Sequence, residues 1–173
     1  MVIGLMIGAL LAAQATAPAA VPVVGKWLYQ DRNDPASGVR SASAFVRDNT
    51  GDRLIVKCDV VDKPMLSIQF IPQPRLPAGD ARTVQLTLDS AKAEIGTWQL
   101  PGAGAFVSDL PTVFVYASEF AKAKEIQIGL TDDAGKAVGG SFAGPGDDAL
   151  FRKVFEACGT PYEMPDPSAK TSG

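Results

Sequence analysis

Two cysteines set 100 positions apart bracket most of what this chain can fold into. Cys58 falls in Arg53-Leu54-Ile55-Val56-Lys57-Cys58-Asp59. The two-residue period of a strand puts Leu54, Val56 and Cys58 on one face, and Arg53, Ile55, Lys57 and Asp59 on the other. Cys158 ends the last helical pattern, where Leu150, Phe151, Val154, Phe155 and Cys158 form an apolar stripe and Arg152, Lys153 and Glu156 face water. Joined sulfurs would pin that helix to that strand. Closing so long a loop stabilises by up to about 4 to 5 kcal/mol in the chain-entropy account. Two buried free thiols are the plain alternative. A redox-active pair has less to recommend it, because there is no Cys-x-x-Cys and no positive context to lower a thiol pKa.

The choice turns on compartment, and the first residues speak to that. An apolar run of about 13 residues opens the chain, short of the roughly 20 a relaxed membrane helix needs. Ala13-Gln14-Ala15 then fits the small-x-small pattern of signal cleavage, although no Lys or Arg precedes the run. An uncleaved anchor is the alternative. We expect a signal peptide over residues 1–20, one domain over 21–159 and a disordered, proline-containing tail over 160–173. In an exported chain two cysteines most simply form one disulfide, so Cys58–Cys158 is the expected structural bond.

Along the chain the period is mostly two. Strand-like runs cover Gly25 to Tyr29, Ser41 to Arg47, Arg53 to Asp59, Met65 to Ile71, Thr83 to Asp89, Glu94 to Leu100, Glu125 to Thr131 and Ala137 to Ala143. Between the second and third, Asp48-Asn49-Thr50-Gly51-Asp52 supplies hairpin chemistry, as Asp132-Asp133-Ala134-Gly135-Lys136 does between the last two. Asp31 to Gly38 reads as a polar loop, and Gly102-Ala103-Gly104-Ala105 as a loose link. Residues 111–123 change to helical spacing after a capping Asp109, with Pro111 in the first turn. Their run Val113-Phe114-Val115-Tyr116 leaves a strand open as the alternative. Asp147 or Asp148 caps the final helix, and Gly159 suits its C′ position. The expected fold is mainly β, an antiparallel β-sandwich or flattened barrel of about eight strands with one or two helices.

Composition removes several activities. There is no histidine, which excludes Ser-His-Asp and Cys-His catalysis and the usual His-based zinc and haem sites. Two cysteines cannot build a four-cysteine metal site. A net charge of −3 argues against a general nucleic-acid binder. The acidic doublets Asp132-Asp133 and Asp147-Asp148 suit calcium or carboxylate catalysis in principle, but turns and helix caps account for them locally. Trp27, Tyr29 and Trp98 are expected in the core rather than on a sugar-binding face. Ser41, Ser43, Ser67 and Ser108 have no nucleophile context. No catalytic, cofactor or metal residue emerges.

Several segments carry a resemblance: Gly25-Lys26-Trp27, Gly51-Asp52-Arg53-Leu54-Ile55-Val56-Lys57-Cys58, Ser67-Ile68, Trp98-Gln99-Leu100, and Gly140-Ser141-Phe142 through Phe151, Val154 and Ala157-Cys158-Gly159. Together they resemble small exported bacterial β-sandwich proteins, nearest the type VI secretion-associated VasI-like group and more distantly the invasion-associated locus B family. The resemblance implies an exported, disulfide-linked, non-catalytic protein and carries no catalytic motif. The expectation is a periplasmic or secreted binding or accessory protein acting through loops and one exposed sheet face. Its partner would be an envelope protein or cell-wall component, with no nucleic acid and no stable membrane insertion once the signal is cleaved. The alternatives are a carboxylate-using hydrolase of envelope polysaccharide, built on those acidic doublets, and an apolar-ligand carrier with a cavity lined by residues such as Phe70 or Trp98.

Overall fold

A computed structural model describes residues 25–165 except Ser37; the signal segment expected over 1–20 and residues 166–173 lie outside them. Hairpins dominate. The strands are β1 (Leu28–Asn33), β2 (Arg40–Arg47), β3 (Arg53–Val60), β4 (Pro64–Ile71), β5 (Gly79–Leu88), β6 (Glu94–Gly102), β7 (Gly104–Val107), β8 (Glu125–Thr131) and β9 (Ala137–Ala143). They form one antiparallel sheet in the order β1-β2-β3-β4-β7-β6-β5-β8-β9, curled into a half-barrel. The mainly β, antiparallel expectation therefore holds, in its barrel form and with nine strands.

Both helices sit on the inward face. There α1 (Leu110–Lys122) packs on β4, and α2 (Ala149–Ala157) packs on β2 and β3. The inward residues of β2 to β4 are Ala42, Ala44, Val46, Leu54, Val56, Cys58, Leu66, Ile68 and Phe70, all buried. Against them α2 sets Phe151, Val154 and Phe155. The stripe that helical spacing indicated thus meets the face that strand spacing indicated, and burial of both drives the docking. Cys58 and Cys158 are bonded at its centre, with Cα atoms 5.6 Å apart. Trp27 closes the curl from the other side. Its indole N–H donates to the Ala143 carbonyl at 2.7 Å, and its ring meets Phe151 edge-on at 5.0 Å.

Three local outcomes differ from expectation. The link at Gly102 to Ala105 is not loose. It turns at Gly102 and Ala103, both with positive φ, and Gly104 begins β7, which pairs with β4 and β6. A side chain at Gly104 would collide with the Phe70 carbonyl, so only glycine lets the two strands approach. Secondly, β1 runs to Asn33, because Arg32 and Gln30 find partners opposite Ser41 and Ser43. The polar loop shrinks accordingly. Thirdly, the segment after Thr160 begins packed: Tyr162 meets Phe155 at 4.9 Å and Phe114 at 5.4 Å, with the Arg152 guanidinium over its ring.

The segment expected over residues 111–123 is a helix rather than a strand, spanning Leu110–Lys122 with Ala123 as its extended C-cap. Asp109 Oδ2 accepts from the Thr112 amide at 3.1 Å, and Val113, Tyr116, Ala117 and Phe120 recur on the buried side. That cap and stripe outweigh the β propensity of Val113-Phe114-Val115.

Candidate functional site

The curled sheet has an outward face that neither helix covers. Strand alternation places Leu28, Gln30 and Arg32 of β1 there, then Ser41, Ser43, Phe45 and Arg47 of β2, Arg53, Ile55 and Lys57 of β3, and Ser67, Gln69 and Ile71 of β4. Most of these line a groove of about 260 Å³. Register stacks them in rows. Gln30, Ser43, Lys57 and Ser67 form one row, and Leu28, Phe45, Ile55 and Gln69 the next. Arg47, Arg53 and Ile71 form a third row at the hairpin end. Ile55 and the half-buried Phe45 make an apolar floor. Ser67 is fully buried beneath Gln69, whose amide donates to its hydroxyl at 3.0 Å.

Charge is unevenly settled on this face. Lys57 is paired with Asp59 at 2.8 Å. Arg47 and Arg53 have no ion pair among the described residues. Arg47 lies over Phe45 at 5.9 Å instead. The Nε of Arg53 is buried without a hydrogen-bond partner. Burial, reinforced by Arg47 and Arg75, pushes the Arg53 pKa down.

A second recess, of about 430 Å³, opens at the loop end of the half-barrel. The β2–β3 turn, the proline-rich Pro72 to Pro77 loop and the β8–β9 turn surround it. Leu76 and Leu100 give it an apolar side, and Asp52, Arg82 and Asp133 a polar one. Asp52 is 5% exposed and accepts the Gln73 amide at 2.6 Å, stapling two loops together. Burial raises its pKa, with Asp48 adding to the effect. Arg82 is ion-paired with Asp133.

The four carboxylates of the acidic doublets are already engaged. Asp132 Oδ1 accepts from the Ala134 and Lys136 amides at 2.9 and 2.8 Å. Asp133 holds Arg82. Asp147 accepts from Ala149 at 2.9 Å, and Asp148 pairs with Arg152 at 2.7 Å, which lowers the Asp148 pKa. The doublets line separate recesses, so they are not brought together. Phe70 and Trp98 lie in the packed core, at 0% and 1% exposure, Phe70 against Phe142 and Trp98 against Tyr116. No cavity described among these residues is lined by either ring. Trp27 is in the core as expected, although the first strand begins only after it, at Leu28. Ser41 and Ser43 join the groove, where they stand among cations and amides rather than beside a base. The Arg47–Arg53 pair was the part sequence reasoning missed. Its signal was present: a tight hairpin turn over residues 48–52 forces its two flanking residues to face each other.

Compared with models of known families, with curated proteins and with solved structures, the chain matches none. Among the described residues no helix is long and apolar enough to cross a membrane. No cluster of three or more potential metal ligands occurs among them either.

Proposed function

We propose that this chain is an exported, non-catalytic binding or accessory protein of the bacterial envelope, working through the outer face of β1 to β4. One observation carries the reading. That face is left open by both helices, yet it holds a shaped groove in which arginines stand without carboxylate partners. A face that served only as solvated surface would gain nothing from an unpaired, half-buried Arg53 set directly opposite a second arginine. The disulfide agrees with an oxidising compartment. Kinship with the VasI-like group belongs to the same proposal. It rests on the core and turn residues quoted above, which speak to fold more than to activity.

The test is co-sedimentation of the full chain, as recovered from export, with washed bacterial envelope material. Retention that is released by raised salt is the expected result. A chain that stays in the supernatant at low salt would sink the reading, as would reproducible turnover of an envelope substrate. A thiol count on the native protein checks the compartment separately, and two free thiols would contradict export into an oxidising space.

A further inference from the structure

The outer groove contains an electrostatic cost that the fold itself does not offset. Arg47 and Arg53 are direct cross-strand partners, the arrangement in which like charges repel most. Three other arginines do have carboxylate partners: Arg40 pairs with Asp31, Arg82 with Asp133 and Arg152 with Asp148. Carboxylates outnumber cations in the sequence, so acidic partners were to hand. Here Asp59 is taken by Lys57, neither Arg47 nor Arg53 has an ion pair among the described residues, and the Nε of Arg53 is buried with no acceptor. A desolvated charged group without a partner is costly, and an oxyanion in the groove beside the guanidinium would offset its charge.

The rest of the groove narrows the ligand. Two guanidinium forks across one strand pair suit a carboxylate held through parallel N–H···O bonds. Beside them stand hydroxyls of Ser41 and Ser43 and amides of Gln30 and Gln69, the partners that sugar hydroxyls need. Phe45 and Ile55 give an apolar floor for the C–H side of a pyranose. The two arginines stand on β2 and β3, each paired on both sides, so the sheet has no free backbone ladder to offer an extended peptide beside them. The net charge of −3 disfavours nucleic acid.

We infer that the groove binds an acidic polysaccharide of the uronic-acid type, with Arg47 and Arg53 clamping a ligand carboxylate. This rests on the binding-protein reading above and names its ligand class.

The test is calorimetric titration of the full oxidised chain with oligogalacturonate and with oligomannuronate. Methyl-esterified oligogalacturonate, polyphosphate and poly-glutamate run in parallel. The inference expects binding of at least one uronate, weakening as salt rises, and loss of binding on esterification. The double variant R47Q/R53Q should bind at least about tenfold more weakly while its melting temperature is no lower than the parent's. Arg40→Gln, which removes a paired arginine outside the groove, should change nothing. Failure of the folded protein to bind either uronate overturns the inference, as does undiminished binding by the double variant. Tighter binding of polyphosphate or poly-glutamate than of both uronates assigns the groove to another ligand class and overturns it too. If R47Q/R53Q is retained on envelope material as well as the parent chain, the groove is wrong and the binding-protein reading stands. If the parent chain is not retained, that reading itself falls.

Discussion

The two faces of β1 to β4 are made from the same strands and have opposite characters. Inward, every second side chain is small or apolar, buried, and sealed by α2 and a covalent bond. Outward, the alternate positions carry hydroxyls, amides and four cations around a small apolar floor. Because the strand period is two, each residue belongs to one face only, and the two can be altered separately. Stability resides on one side, and the proposed binding groove lies on the other.

Substitutions can break that division, and the largest effects should come from the inner face. Phe151→Ala removes a fully buried ring that meets Trp27, and should cost about 3 to 5 kcal/mol in denaturant unfolding. Because the ring is remote from the groove, the folded fraction of that variant should bind as the parent does. Replacing Cys58 and Cys158 together with alanine should cost about 2 to 5 kcal/mol, read by chemical denaturation, again without altering ligand specificity. A double-alanine variant of full stability would mean that the bond is not what anchors α2.

Outer-face changes should be small and of opposite sign. Arg53→Gln relieves repulsion from Arg47, so without ligand and at low salt it should raise stability by up to about 1 kcal/mol. A clear loss of stability instead would show that Arg53 has a structural role and would blur the contrast between the faces. The smallest effect concerns Asp52 at the loop end. Its carboxyl has a raised pKa in the folded state, so folding favours the protonated form. Its contribution is therefore fully present below the ordinary carboxylate range and is lost as pH rises through its elevated value. Asp52→Asn, which keeps an oxygen for the Gln73 amide, should gain melting temperature relative to the parent between acid and neutral pH. A difference that does not move with pH would remove burial as the governing influence on that carboxyl.

Much of the architecture could be read from the residues, because burial imposes period two on strands and a stripe on helices. Leu54, Val56 and Cys58 in β3, Ile126, Ile128 and Leu130 in β8, and Phe151 and Val154 in α2 all fall where their spacing puts them. Strand β7 escaped because its four residues are too few to show a period, and its register depends on a contact between Gly104 and Phe70 that is distant in sequence. Tyr162 escaped for a similar reason: a lone aromatic among prolines signals nothing until α1 and α2 form the cleft it fills. For the groove, the outward cations of β3 were visible, and on their own they read as an ordinary solvated face. Pairing across the hairpin is what turns Arg47 and Arg53 into neighbours, and that is a property of two segments rather than one.

The bond between Cys58 and Cys158 also closes the chain between those positions into a covalent ring. Strands β4 to β9 and both helices lie inside that ring, and β1 and β2 lie outside it. A protease that nicks the Pro72 to Pro77 loop or the β8–β9 turn would open the ring without releasing a fragment, and the two pieces would separate only after reduction. During synthesis the ring cannot close until the residue 100 positions downstream of Cys58 has arrived. Until then, the apolar side of β2 to β4 must stay soluble without the helix that eventually covers it. The chain is therefore most exposed to aggregation or to helper proteins in the interval before its last helix docks.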